Sequence, residues 1–547
     1  FKELLEQLDE APGRFIPLSG GRYLALTELF RARLAVLAAA TEVTAKGRRF
    51  GLASLPALDE ALALIEDEGE LTADGALGEA RDRLAAARAF TPRVPRTLQA
   101  ELRDYQREGF RWLARMARWG FGACLADDMG LGKTLQTLAL LLHRARGGPA
   151  LVVAPTSVLM VWAEEAARFA PTLNVRRFGP GDRDEALAGL GAFDVLLCGY
   201  GLLPGEIERL SAQRWSTLVL DEAQAIKNPL TRRAKAARAL SADFRLATTG
   251  TPLENHLGEL HALFRFLEPS LLGSKKRFDE RFAGPMERGA ERGKGPRELL
   301  RQLVRPFILR RTKSEVLKEL PPRTDVVLRV PLSAKEASFY EALRQRALER
   351  FEGDAEEGGQ QQDKQQRVQI LAELMRLRRA CSHGRLVDPA APPESAKLEA
   401  FEGLLEELLE GGHRALVFSQ FVDVLTLVRE RLERRKVSYQ YLDGSCSEAA
   451  RRESVDAFRD GEGEVFLISL RAGGFGLNLT AADYVIHLDP WWNPAVEDQA
   501  ADRAHRFGQR RPVTVYRLVA ADTVEERIVA LQQRKRELVD GVLEGTG

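Results

Sequence analysis

Between about residues 100 and 270, short apolar runs alternate with helix-length segments. The runs are CLA (124–126), ALVVAP (150–155), DVLLCGY (194–200), TLVLDE (217–222) and RLATTG (245–250), each followed by a polar or glycine-bearing turn. Short runs without polar alternation suit strands buried on both faces. Their interleaving with helices predicts βαβ units, a parallel sheet and right-handed crossovers. The same grammar returns after residue 395 in RALVFSQ (414–420), YQYLDG (439–444), VFLIS (465–469), YVIHLD (484–489) and VTVYRLV (513–519). The pattern therefore predicts two α/β lobes. The charged, helical texture between them reads as protrusions on the lobes, with Gly284–Arg297 and Glu352–Gln366 as loops. Residues 1–94 differ in texture: RFIPLSGGRYLAL (14–26) predicts two short strands about a Gly-Gly turn, and 28–40, 56–67 and 75–90 predict helices. Thr91-Pro92-Arg93-Val94-Pro95 reads as a stiff linker.

Composition narrows the class. A chain of 547 residues exceeds one hydrophobic core, and 45% hydrophobic with 29% charged residues is that of an ordinary globular protein. The 80 basic residues nearly cancel 79 acidic ones, so any nucleic-acid surface must be a local patch. The most apolar window, 187–203, is broken by Asp194 and glycines, so no membrane span is expected. Cys124, Cys198, Cys381 and Cys446 lie far apart without a CxxC pair, which suits a reducing compartment. Cys381-Ser382-His383 lacks a second ligand pair, so a structural metal is not expected. Phe1 in place of an initiator methionine reads as the start of an excised piece of a longer chain.

Three segments carry chemistry. Asp127-Asp128-Met129-Gly130-Leu131-Gly132-Lys133-Thr134 follows a short strand and opens a helix, Leu135–Ala145. Glycines let backbone N–H groups wrap a phosphate, and the helix N-terminus adds a favourable dipole. There Lys133 can reach the β- and γ-phosphates and the Thr134 hydroxyl can bind Mg²⁺. The full pattern wants glycine six residues before the lysine, where this chain has Asp127. A glycine turn with a solvated lysine is the plainer alternative. The strand–loop–helix setting favours the phosphate loop.

Asp221-Glu222-Ala223-Gln224 stands at the carboxyl end of TLVL, the edge where open α/β sheets place ligands. Asp221 would hold Mg²⁺ through water, and Glu222 would orient or deprotonate the attacking water. Alone, such a pair reads as a helix N-cap; a phosphate loop in the same lobe favours hydrolysis. In Gln499-Ala500-Ala501-Asp502-Arg503-Ala504-His505-Arg506, the i, i+3 spacing predicts that one helical face presents Arg503 and Arg506. Arginines brought to a γ-phosphate from a separate lobe stabilise transition-state charge, whereas alone they make a solvated helix face.

In this order the segments resemble a Swi/Snf-family ATPase of helicase superfamily 2, prokaryotic in type, from about Leu102 to Lys535. LRDYQREGFRWL (102–113) resembles the adenine-reading segment, with Gln106 as reader, and the glycine loop resembles motif I. APTSVLMVW (154–162) resembles motif Ia, TTGTPLEN (248–255) motif III, and ILRRTK (308–313) the junction between lobes. ALVFSQF (415–421), YLDGSCSEAARRESVDAF (441–458) and ISLRAGGFGLNLTAADYVIHLDPWWNP (468–494) resemble motifs IV to Va, and QAADRAHRFGQ (499–509) motif VI. The strings DPWWNP and RAHRxGQ separate this family from other superfamily members. Gln224 stands where many relatives have histidine, keeping a polar partner for motif III, and Phe507 replaces an aliphatic residue.

The resemblance implies two tandem RecA-type parallel-sheet lobes with helical protrusions, plus a small, mostly helical N-terminal domain. The expected domains are 1–94, 95–320 with a protrusion at about 255–310, and 321–547 with an insertion at about 333–390. It implies ATP and Mg²⁺ as cofactors. Gln106, Asp128, Gly130, Gly132, Lys133, Thr134 and Gln499 would bind nucleotide. Lys133, Asp221, Glu222, Arg503 and Arg506 would carry hydrolysis in the cleft between lobes, with Thr134 and Asp221 at the metal. The implied activity is translocation on double-stranded DNA, displacing or remodelling bound proteins. A strand-separating DNA or RNA helicase and a nucleotide-switched DNA-binding scaffold are the alternatives. Backbone grip would fall to Thr156, Ser157, Ser419, Gln420, Gly473 and Gly474, with Arg310, Arg311 and Lys313 as a basic cluster. Trp491–Trp492, between prolines, reads as a packed wedge more readily than a base-stacking platform. Both halves of the ATP site lie in one chain, so a monomer suffices. The DEAQAIKNP string (221–229) resembles bacterial and archaeal members, which implies a cytoplasmic, nucleoid-associated protein.

Overall fold

The computed structural model describes residues 15–18, 22–25, 27, 41–44, 47–50, 52–57, 59, 75–179, 181, 183–253, 256–287, 290–353, 360–470 and 478–543. The chain forms two compact units, Phe1–Val316 with Leu538–Gly547, and Leu317–Glu537.

The first unit is built on seven parallel strands. Their order across the sheet is Ile308–Leu309, Ala123–Leu125, Arg245–Thr248, Thr217–Asp221, Ala150–Ala154, Asp194–Gly199 and Asn174–Phe178. The central strands are wholly buried, which is why they read as unbroken apolar runs. Helix Lys133–Arg144 leaves the sheet directly after the glycine loop, and Thr156–Phe169 follows the next strand in sequence. Helix Asp104–Trp119 buries Phe110, Leu113, Ala114 and Met116 and stops at Gly120, whose left-handed backbone (φ 92°) closes the last turn.

The second unit holds six parallel strands in the order Arg323–Val330, Val513–Ala520, Tyr484–His487, Ala415–Ser419, Val465–Ser469 and Tyr439–Leu442. Period-2 alternation divides its core into two layers. Ala415 and Val417 face Phe401, Leu405 and Val428 on one side, while Leu416 and Phe418 face Phe458, Val485 and Val515 on the other. Two parallel sheets clothed in helices are the tandem RecA-type lobes expected from the sequence. No described helix is long and apolar enough to cross a membrane.

Several elements differ from expectation. Strands Asn174–Phe178, Ile308–Leu309 and Arg323–Val330 were not visible as apolar runs. Gly284–Arg297, expected as a loop, is helical where described: Gly284–Glu287 forms one short helix, and Ala290–Val304 carries Pro296 within it. Anchoring explains the override, since Leu300, Leu303 and Val304 at its far end are buried. Of Glu352–Gln366, the residues on either side of 354–359 are helical and those six lie outside the described residues. The hairpin Phe15–Leu18/Arg22–Ala25 is present, and a second, Thr41–Thr44/Gly47–Phe50, was not foreseen. Of the three N-terminal helices, only Gly75–Ala89 falls fully within the described residues.

Candidate active site

In the first unit, Asp127–Gly132 links the strand Ala123–Leu125 to the helix Lys133–Arg144. Gly130 (φ 86°) and Gly132 (φ 76°) both take the left-handed conformation that side chains resist, so the glycines are required by the loop's path. A Cβ on Gly132 would collide with Nε2 of Gln106. That amide donates to Leu131 O at 3.2 Å while its Oε1 accepts from Arg103 N–H at 3.1 Å, tying the Gln106 segment to the loop. Lys133 Nζ donates to the carbonyls of Asp127 (2.7 Å) and Asp128 (3.3 Å), so its ammonium lies over the loop it would share with a phosphate.

Two strands away, Asp221 ends the strand Thr217–Asp221. Its Oδ2 accepts from the Trp162 indole N–H at 2.7 Å. Its Oδ1 accepts from the Thr248 hydroxyl at 2.6 Å and from the Glu222 amide at 3.0 Å. The Tyr200 hydroxyl donates to Asp221 O at 2.9 Å, and burial, with Asp221 and Glu222 nearby, pushes that phenol well above its ordinary range. Glu222 has φ 51° and ψ 55°, a left-handed backbone that costs a non-glycine residue about 1 kcal/mol or more. Gln224 Nε2 donates to Glu222 Oε2 at 2.8 Å, and Gln224 Oε1 accepts from the Thr249 hydroxyl at 2.9 Å. Gln224 therefore is the polar partner between the acidic pair and the TTGT segment that the sequence anticipated. Glu254 and Asn255 of that segment lie outside the described residues.

The strand Arg245–Thr248 joins the two halves of the site. It lies between the strands of the glycine loop and of Asp221. Thr248 bonds to Asp221, and a Cβ on Gly250 would stand 3.8 Å from Lys133 Nζ. Loop and acids thus share one sheet edge, about 10 Å apart at two strand spacings.

The donor set suits Mg²⁺. Four lone-pair positions of the Asp221 carboxylate receive three hydrogen bonds, leaving one on Oδ2. That leaves room for contact through water, with the Thr134 hydroxyl at the helix start as a direct oxygen ligand. Mg²⁺ keeps several of its own waters in such sites.

Asp127, the residue in place of a loop glycine, is wholly buried. Arg311 grips its carboxylate through Nε (2.9 Å to Oδ1) and Nη2, and Gln136 Nε2 donates to Oδ2 at 3.2 Å. This changes the reading of the basic cluster. Arg311 is 7% and Lys313 5% exposed, so neither offers its side chain to a surface strand, and Arg310 is half-buried. Thr156 is exposed in the first turn of Thr156–Phe169; Ser157 follows it there, its side chain outside the described residues.

In the second unit, helix Pro494–Ala501 carries the half-buried Gln499 and ends before the arginines. The expectation of one helical face for Arg503 and Arg506 fails. Both lie in a turn, which Gln509 braces by donating to Thr480, Ala482 and Ala504 carbonyls, and which leads into Gly508 (φ 99°). Arg503 places its guanidinium 5.6 Å from the Phe418 ring centre, and its Nη1 is buried without a hydrogen-bond partner among the described residues. Burial and the nearby Arg451 bring its pKa down to about 10. A buried guanidinium N–H without a partner among the described residues could donate to an anion.

Ser419 and Gln420 were expected to hold a strand by surface groups; both are buried. The Ser419 hydroxyl donates to Asp489 Oδ2, and Gln420 Oε1 accepts from Arg378 at 3.0 Å. Gly473 and Gly474 lie outside the described residues. Trp491 and Trp492 flank Arg378, 5.7 and 5.2 Å from their ring centres, in keeping with a packed wedge. Phe507 is 56% exposed, so packing does not account for it.

Sequence reasoning missed Trp162, Thr248, Gln136 and the Asp127–Arg311 pair. Only the last had a signal: an acid at the end of a buried strand requires a cation.

Comparison with known proteins gives the family. The SNF2-related domain family matches residues 105–386, just over half the chain, and the helicase conserved C-terminal domain matches 396–508. YwqA of Bacillus subtilis is 40% identical over 467 residues, covering 83% of this chain and 50% of its own. The ISWI chromatin-remodeling complex ATPase CHR11 of Arabidopsis thaliana is 36% identical over 537 residues, covering 94% and 48%. Among solved structures, the Sulfolobus solfataricus SWI2/SNF2 ATPase core in complex with dsDNA is 34% identical, covering 83% of this chain and 99% of its own, with a TM-score of 0.43. The chain spans about half the length of the curated relatives it matches. With both domain families matched in order across the two parallel-sheet units, the chain belongs to the Swi/Snf family of ATP-dependent helicases.

Proposed function

We propose that this chain hydrolyses ATP on the sheet edge of its first unit and uses the cycle to move along duplex DNA, remodelling or displacing bound proteins. The observation that carries the ATPase reading is the convergence of the Gly130–Lys133 loop and the Asp221–Glu222 pair on that edge. Movement on DNA and remodelling rest on the family, whose member CHR11 is a chromatin-remodeling ATPase.

Phosphate would enter the loop over its backbone amides, and Lys133 would exchange the Asp127 and Asp128 carbonyls for β- and γ-oxygens. Thr134 and Asp221 would hold Mg²⁺, which supplies charge neutralisation at the phosphates. Glu222, oriented by Gln224, is the group for the attacking water. Gln106, whose amide bonds to Leu131 O in the loop, would read the nucleotide's base. Arg503 and Arg506 are the second-unit cations this reading enlists at the γ-phosphate during turnover.

The test is phosphate release by purified protein with and without Lys133→Ala. We expect a loss of about 100-fold or more, since an interaction with transition-state charge is removed. A variant that turns over at the parental rate would sink the assignment.

A further inference from the structure

We infer that Arg311 is a positioning residue for the nucleotide loop, and that its buried pair with Asp127 ties nucleotide binding to the segment 308–313, shortly before the unit boundary at Val316. The inference rests on the ATPase reading above.

Asp127 and Asp128 are the two residues on which Lys133 rests. Both are also fastened to 309–313. Leu309 O accepts from the Ala126 amide at 2.7 Å, Arg311 O accepts from the Asp128 amide at 3.0 Å, and the Lys313 amide donates to Asp128 Oδ2 at 2.9 Å. The Arg311 side chain completes the join. Besides Asp127, it donates to Gln136 Oε1 at 2.9 Å and to the carbonyl of Tyr105, and it lies 5.4 Å from the Tyr105 ring centre. Tyr105 neighbours Gln106, so one guanidinium touches the loop, the loop's helix and the base-reading segment.

Gly109 shows how closely the helix Asp104–Trp119 approaches: a Cβ there would collide with Gln136 Oε1 and stand 2.7 Å from Arg311 Nη2. The strand Ile308–Leu309 pairs in parallel with Ala123–Leu125, so the chain enters this join directly from the sheet.

A phosphate loop that begins with glycine sets its shape by its own backbone. Here the first position carries a buried charge that only Arg311 and Gln136 satisfy among the described residues. The loop's shape therefore depends on where 309–313 sits, and any shift of that segment reaches the carbonyls under Lys133. Because linkage is reciprocal, nucleotide binding must in turn restrain 308–313.

Asp127→Asn, Arg311→Lys, Gly109→Ala and Arg311→Met with its Asp127→Asn double variant separate this from simple stabilisation. A merely structural pair, when broken, lowers the folded fraction, and so apparent kcat, at unchanged KM. A displaced loop weakens ground-state binding and raises KM. We expect each single variant to raise KM for ATP about tenfold with kcat within about threefold, and the double to cost no more than the worse single, because the pair acts as one unit.

Hydrogen exchange gives an independent readout. Saturating ADP with Mg²⁺ should slow exchange in 308–313 of the parental protein and fail to do so in Asp127→Asn, the mildest change. KM unchanged within twofold in Asp127→Asn and Gly109→Ala, or ADP protection of 308–313 retained in Asp127→Asn, would overturn the inference. A parental protein that neither hydrolyses ATP nor binds ADP would instead overturn the ATPase reading.

Discussion

Gly132 leaves the loop no room for a side chain. Its φ of 76° and its closeness to Gln106 mean that a methyl group there strains the backbone and collides with the Gln106 amide. We expect Gly132→Ala to weaken ADP binding, measured by calorimetry, about tenfold or more. Gly120→Ala is the control: the backbone is equally left-handed (φ 92°) but the space is open, so it should cost about 1 kcal/mol of stability and leave ADP affinity unchanged. Equal ADP affinity in both would show that the loop geometry does not govern binding. Arg503 is the second residue that decides something. Its Nη1 lacks a hydrogen-bond partner among the described residues, and its contact with the Phe418 ring contributes only about 0.5–2 kcal/mol. Arg503→Ala should lower kcat by about 1000-fold at little change in KM or melting temperature. A large drop in melting temperature with kcat intact would make it a core residue instead.

The chemistry-bearing residues of the first unit were legible because phosphate loops and strand-end acids obey local rules of spacing. The supports of those residues were not: Trp162 reaches Asp221 across 59 positions and Arg311 reaches Asp127 across 184. No window along a chain sees such pairs. The basic cluster 310–313 misled for the same reason, since a charge run in sequence does not say whether an acid awaits it inside the fold.

At the scale of elements, the central strands were readable because burial on both faces removes polar residues. Edge strands escaped. In Arg323–Val330 and Asn174–Phe178 most positions are exposed or half-buried, so their apolar residues are scattered. The helix Ala290–Val304 escaped for the opposite reason: local glycine and proline content argued against a helix that buried anchors impose. Leu300→Ala should therefore destabilise the first unit by about 2–5 kcal/mol, read as a shift in its denaturant midpoint; a shift below about 0.5 kcal/mol would mean the helix is not anchored there.

The strand Tyr484–His487 gives a pH prediction. His487 is wholly buried with neither ring nitrogen hydrogen-bonded among the described residues, and burial, with Arg517 nearby, holds its pKa at about 3. The unfolded chain takes up a proton near its ordinary value of 6.5, and the folded one does not until about 3. Stability is thus full above pH 6.5 and falls as the pH drops below it, by about 1.4 kcal/mol per unit from this residue. Denaturant unfolding of His487→Phe at pH 7 and pH 5 should show a shallower acid decline than the parental protein. An identical decline would remove His487 as its source.

At the scale of the molecule, the two-lobe division was legible because the βαβ grammar appears twice, and the family followed from motif order. A protein target was not legible, because contacts to a nucleic-acid backbone leave no base-reading signature in sequence. Charge adds one expectation. With a net charge of +1, attraction to DNA must come from local patches. The salt dependence of duplex affinity should then correspond to a few phosphate contacts, each contributing about −0.9 to the log–log slope. A slope near −10 in a salt titration would require a broad basic face.

Steady-state ATP hydrolysis without nucleic acid and with duplex DNA, single-stranded DNA or RNA, with Glu222→Gln as the inactive control, tells whether duplex DNA drives turnover. A duplex translocase should show strong stimulation by duplex DNA, little by the others, and none in the control. Preference for single strands or RNA would contradict it in favour of a strand-separating helicase. Duplex binding without stimulation would contradict it in favour of a nucleotide-switched scaffold.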